Sequence, residues 1–121
     1  MSALDDNGPI DLAHLSEMSG ADREFEIELM QEFLSSTPAL LDKLRNAIQH
    51  GLIHDAEIAA HTLKGSCRSL GAKAMAEPCY EIEMMARTGD LAKAPEKERL
   101  AVQCYEVLRC YIQDHWNIKA A

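Results

Sequence analysis

A chain of 121 residues with 47% apolar side chains has material for one hydrophobic core and is too short for two domains of ordinary size. Twelve Lys and Arg stand against twenty Asp and Glu, a net charge of −8, the wrong sign for tracking phosphate backbones or anionic lipid through bulk electrostatics. The four cysteines form no C-x-x-C pair, which excludes the common zinc and dithiol motifs.

Only 6 Gly and 4 Pro are present, and apolar residues recur at three- and four-residue spacing without sustained alternation, so the chain reads as all-α. Residues 1–9 are expected to form a flexible tail. Pro9 opens a short helix over about 10–18, with Ile10, Leu12, Leu15 and Met18 as packing residues, and Ser19-Gly20 stops it. Asp22, Glu24, Glu26 and Glu28 put negative charge where a helix N-terminus favours it. A long helix therefore starts near Ala21, with Phe25, Ile27, Leu29, Met30, Phe33 and Leu34 on its apolar face. Pro38 interrupts the pattern, yet Leu40, Leu41, Leu44 and Ile48 continue it to Gly51, which predicts a kink or two collinear helices.

A further helix spans about His54 to Leu70, closed by Gly71, and the next spans Lys73 to Thr88, with Pro78 shifting or bending its start. The last begins at Pro95-Glu96 and carries the stripe Leu100, Cys104, Val107, Leu108 and Tyr111, reaching Trp116. Met30, Met75, Met84 and Met85 read as core filler. Four substantial helices with short connections predict an antiparallel four-helix bundle over residues 10–117, with a small N-terminal helix across one end and residues 118–121 as a tail. The N-terminus lacks a basic segment followed by an apolar one, and no apolar run reaches about 18 residues. A cytoplasmic protein with reduced cysteines is the resulting expectation, with neither nucleic acid nor membrane as partner.

Placing residues 52–70 on a helical wheel puts Leu52, Ala56, Ala59, Leu63, Cys67 and Leu70 in one sector, with His61 on the opposite, outward face. His54 and Glu57 flank His61 on one side, and Lys64, Gly65 and Arg68 on the other. Glycine inside a helix costs about 1 kcal/mol relative to alanine, and one use for that cost is clearance, so that another molecule can approach the imidazole. Lys64 and Arg68 are candidates to donate to an anion beside the ring, as a phosphoryl group would be. From Ile58 to Ala76 the chain holds Lys64, Arg68 and Lys73 and no acid. Positive charge is thus gathered around one histidine in an otherwise acidic chain. A solvated polar face is the ordinary reading of such residues, and their order and spacing argue for more.

The run His61-Thr62-Leu63-Lys64-Gly65-Ser66-Cys67-Arg68-Ser69-Leu70-Gly71-Ala72 resembles the signature of histidine-containing phosphotransfer (HPt) domains of bacterial and eukaryotic phosphorelays. Phe25, Leu29 and Phe33 upstream, and Cys79, Ile82, Glu83 and Arg87 followed by Gly89-Asp90 downstream, are similar to the family's flanking helices. The resemblance implies a four-helix bundle that accepts a phosphoryl group from a receiver-domain aspartate and gives it to another receiver. His61 is then the phosphorylated nucleophile, Lys64 a cation near the phosphoryl group, and Gly65 the clearance position. Arg87 is a basic residue presented from the next helix, and Glu83 a side chain able to hold the ring through its other nitrogen. Glu57, Ile58 and Arg68 join the partner-facing set. Cys67 and Arg68 stand where Ser or Ala is more usual, and Pro78 is unusual in its helix.

Neutral imidazole, whose ordinary pKa lies near 6.5, is a competent nucleophile at neutral pH. The resemblance implies receiver domains of a hybrid histidine kinase and of a response regulator as partners, and assigns the divalent metal to the receiver. This chain itself is expected to be a monomer with no cofactor and no metal site. A kinase dimerisation helix would follow its histidine with an acid, whereas Thr62 follows here, and a nucleotide-binding domain does not fit in the length. A phosphocarrier without autonomous kinase activity is therefore expected. The alternative is a helical adaptor of the same fold that binds receivers or other signalling partners without carrying phosphate.

Overall fold

The computed structural model describes residues 8–119, which form five helices. They are α1 (Leu12–Ser19), α2 (Arg23–Gln49), α3 (Ile53–Leu70), α4 (Lys73–Thr88) and α5 (Ala94–His115). The expected tail residues 1–7 and the last two of 118–121 lie outside the described residues. Within the range, Ile10 is fully buried and Ile118 packs against the core. Two N-termini are closed by acids: Asp22, expected at the start of its helix, accepts from the Phe25 N–H at 3.2 Å, and Asp11, expected inside a helix opened by Pro9, instead caps α1 by accepting from the His14 N–H at 3.1 Å.

Each of α2 to α5 packs on its neighbour in the chain, and α2 also meets α5, closing the bundle; α1 lies against α2 and α3. Cross-helix pairs run in opposite order on the two partners. Glu57 meets Arg87 and His61 meets Glu83 between α3 and α4. Cys104 meets Ala74 and Lys97 meets Glu81 between α4 and α5. Arg23, Leu34 and Arg45 of α2 meet His115, Tyr105 and Glu98 of α5. All three interfaces are antiparallel: short connections require it of α3 with α4 and of α4 with α5, and the resulting up-and-down order sets α5 antiparallel to α2.

The core joins Met30, Phe33, Leu41 and Leu44 of α2 to Leu63 and Cys67 of α3, Met75, Cys79 and Ile82 of α4, and Tyr105, Leu108 and Ile112 of α5. The wheel of α3 holds: Ala56, Ala59, Leu63, Cys67 and Leu70 are buried, and Ala60 with them. Leu52 does not belong to that sector. It precedes the helix at the cap position and is exposed.

Three other expectations are narrowed or corrected. Of the two readings at Pro38, a kink or two collinear helices, the second is excluded, because α2 is one continuous helix. On α5, Leu100 and Val107 are exposed, and the buried side is Ala94, Ala101, Tyr105, Leu108 and Ile112. That side is rotated about a quarter turn from the expected stripe. Hydropathy favoured leucine and valine over alanine and tyrosine, whereas packing selected a small residue at 101 and a ring with a hydroxyl at 105. Met18, Phe25 and Met84, expected in the core, are exposed as well.

Gly71 shows why the close of α3 is demanding. Its φ is +78°, and a β-carbon there would sit 2.9 Å from the carbonyl oxygen of Asp11. The Asp11 N–H donates to the Gly71 carbonyl at 2.9 Å, and Lys73 Nζ pairs with the Asp11 carboxylate at 3.0 Å. Glycine at 71 thus both turns the chain and lets the start of α1 dock across the α3–α4 corner.

Candidate functional site

The outward face of α3 and the adjoining edge of α4 meet around one buried carboxylate. His61 projects from the middle of α3 with its side chain 62% exposed. Its Nδ1 lies 3.0 Å from Glu83 Oε2. Glu83, on α4, has no exposed surface although it is charged, and it is tolerated there because donors surround it. Lys64 Nζ forms an ion pair with Glu83 Oε1 at 2.6 Å. Arg87 Nη2 donates to Glu83 Oε2 at 2.7 Å, and Arg87 Nε donates to Glu57 Oε2 at 3.2 Å. Arg87 thereby ties α4 back to α3 one turn before the histidine.

The electrostatics follow from that arrangement. Burial pushes the Glu83 carboxyl up, but the hydrogen bonds from Lys64 and His61 and the charges of Lys64 and Arg87 outweigh it and hold the group below its ordinary value. An ionised carboxylate accepts and cannot donate, so the ring nitrogen facing it carries the proton. In the neutral imidazole that leaves the lone pair on Nε2, the nitrogen away from Glu83.

Gly65 lies one turn beyond His61. A β-carbon built on it meets nothing within 4 Å, so no contact inside this chain calls for glycine. The cleared space lies outside the bundle, over the helix face that carries the histidine.

Two expectations about charge change at this point. Lys64 does not stand open beside the imidazole: its side chain is only 13% exposed and is turned onto Glu83. Arg68 is exposed, but its guanidinium carbon lies 5.6 Å from the centre of the Tyr80 ring rather than at His61. The local excess of positive charge between Ile58 and Ala76 is also largely neutralised. The acids that do this, Glu83 for Lys64 and Asp11 for Lys73, come from outside that stretch.

Ile58 is exposed one turn before His61. With Leu40, Lys43, Asn46, Asp55 and Thr62 it lines a groove of about 450 Å³ between α2 and α3, on the side of α3 away from Glu83. Sequence reasoning missed Tyr80, whose exposed ring has both Lys64 Nζ and Arg68 Cζ at 5.6 Å. The signal was available: Tyr80 precedes Glu83 by three residues, so the two share one side of α4. Among the described residues, no helix is long and apolar enough to cross a membrane.

Comparison with known proteins gives consistent results. A family model described as the Hpt domain matches residues 28–113. The phosphorelay intermediate protein rdeA of Dictyostelium discoideum is 26% identical over 107 residues, which are 85% of this chain and 42% of that protein. The chain thus spans well under half the length of that curated relative. The crystal structure of histidine-containing phosphotransfer protein B (HptB) from Pseudomonas aeruginosa superposes with a TM-score of 0.85 at 23% identity, covering 93% of this chain and 97% of the other. At that identity the likeness speaks to the fold.

Proposed function

The chain belongs to the Hpt domain family, and on that premise we propose that it is a phosphorelay carrier that takes a phosphoryl group onto His61 from a receiver-domain aspartate and passes it to another receiver. The observation that carries the reading is the exposed imidazole whose Nδ1 is held at 3.0 Å by the buried carboxylate of Glu83.

In this reading Nε2 attacks the phosphorus of the aspartyl phosphate. A P–N bond forms, the P–O bond to the aspartate breaks, and the carboxylate departs with its electron pair. No proton has to leave Nε2, because the ring proton is already on Nδ1. The positive charge that develops on the ring faces Glu83, and the reverse step at a second receiver restores the free imidazole. A loose, in-line transition state needs positioning and charge balance more than covalent assistance. Glu83 acts as a positioning residue, fixing ring orientation and tautomer. Lys64 and Arg87 keep Glu83 ionised, while Arg87 with Glu57 braces α4 against α3. Gly65 admits the receiver, with Ile58 and Arg68 at the edges of the docking face.

The same reading makes the chain a cytoplasmic monomer without kinase activity of its own, served by receivers of a hybrid histidine kinase and a response regulator. The test is incubation with a phosphorylated receiver domain. Wild type acquires an acid-labile, base-stable phosphate, and His61→Gln acquires none while keeping its helical circular dichroism. Persistent labelling of His61→Gln would overturn the assignment. A wild-type chain that binds receivers yet is never labelled would favour the adaptor.

A further inference from the structure

Most cations on the α3–α4 face are neutralised within the chain. Glu83 takes Lys64, Asp11 takes Lys73, and Glu83 and Glu57 share Arg87. On the far edge of α4, Glu81 takes Lys97 at 2.7 Å. Arg68 is the exception. It is exposed, it forms no ion pair among the described residues, and its guanidinium lies over Tyr80. An aromatic face attracts an exposed cation weakly, which biases a long, rotatable side chain toward one position without cancelling its charge. Arg68 thus favours that position with its full charge available.

Its placement defines what that charge can do. Seven residues along a helix separate the two backbones by about 10 Å, and the guanidinium is engaged at Tyr80 of α4. Arg68 lies beyond Gly65, at the rim of whatever surface settles into that clearance to reach His61. Rim charges act on the rate of encounter and its salt dependence rather than on chemistry in the assembled complex.

We propose that Arg68, oriented by Tyr80, is a specificity-determining residue that steers an acidic surface of the incoming receiver onto the Gly65 clearance. This rests on the phosphotransfer reading. Charge complementarity identifies the partner's chemistry. An exposed guanidinium without an ion pair among the described residues is matched by an acidic patch on the surface that settles beside it. This chain, at −8 overall, disfavours such a surface on average, so an uncompensated cation beside the Gly65 clearance marks where it is admitted.

The test uses the full chain and a panel of phosphorylated receiver domains, with the fastest donor carried forward. Phosphotransfer is followed by rapid quench across ionic strength for wild type, Arg68→Glu, Arg68→Ala and Tyr80→Leu. At low salt, Arg68→Glu is expected to lower the second-order transfer rate on the order of tenfold, Arg68→Ala less, and Tyr80→Leu in the same direction. The differences close as salt rises, and the first-order rate at saturating receiver stays at the wild-type value. Arg68→Glu transferring like wild type at every ionic strength would overturn the proposal, as would a loss that salt does not diminish or that appears in the saturated rate. Failure of the wild-type chain to take label from any receiver is a separate result, and it would strike the phosphotransfer reading itself.

Discussion

At the scale of single residues, Glu83 and Gly65 carry opposite costs that point to the same face. A carboxylate without exposed surface is stable only when its charge is matched, and Lys64 and Arg87 match it from two sides. Gly65 lowers helix stability without any packing contact to account for it. Gly65→Ala is therefore expected to stabilise the protein by about 1 kcal/mol, seen as a higher urea midpoint, while Gly65→Gln slows transfer from a receiver. A destabilised Gly65→Ala would mean that the glycine serves the fold rather than the partner. The position of Gly65 was legible because its neighbours lie on its own helix. That Lys64 turns inward was not, since its target is carried by a different one.

At the scale of the helix, two prolines show how α5 supports its neighbours. Proline donates no N–H, so Pro38 leaves the Leu34 carbonyl of α2 without its usual partner, and Pro78 does the same to the Ala74 carbonyl of α4. Adjacent residues of α5 answer both. The Tyr105 hydroxyl donates to the Leu34 carbonyl at 3.4 Å, and the Cys104 thiol donates to the Ala74 carbonyl at 3.6 Å. Neither helix breaks: α2 runs on through Pro38, which excludes the collinear pair, and α4 keeps the expected span Lys73–Thr88 with Pro78 inside it. Tyr105→Phe keeps the ring contact with Phe33 and removes only the donor. It is expected to cost about 0.5–1.5 kcal/mol in denaturant unfolding; a stability equal to wild type would show that the carbonyl is satisfied by other means. Burial also pushes the neighbouring Cys79 thiol up to about 12, so this part of the core is chemically quiet at neutral pH.

Across the whole molecule, charge pairing links the site to stability. Because Lys64, His61 and Arg87 hold the Glu83 carboxyl below its ordinary 4.5 against the opposing effect of burial, the unfolded chain binds its proton more readily than the folded one. The contribution of Glu83 to stability is complete above that ordinary value and is lost as pH falls through the depressed native one. Wild type is therefore expected to lose thermal stability below about pH 4.5 more steeply than Glu83→Gln, which has no proton to take up there. Parallel melting curves for the two proteins from pH 6 to pH 3 would show that the carboxylate is not held in its ionised form by its partners. The far ends of the bundle are pinned in a similar way: Glu26 accepts from the Trp116 indole N–H at 3.1 Å and from Ser19 Oγ at 2.9 Å, joining α1, α2 and the end of α5.

What the amino-acid sequence by itself determined is whatever a single helix can specify. The five helices and their approximate ends follow from capping residues, glycines and the 3.6-residue period, and the same period sets His61 outward, Leu63 and Cys67 inward, and Gly65 on the open face. The antiparallel order follows from short connections. The tertiary structure decided which atoms of one helix oppose those of another: Glu83 rather than an open anion site for Lys64, Tyr80 for Arg68, Tyr105 for the carbonyl freed by Pro38, and the rotation of α5 that buries Ala101 and exposes Val107. These choices depend on the separation and rotation of neighbouring helices, to which the period of any one helix is indifferent, and they are settled by the need to pair buried charge and fill space where two surfaces meet.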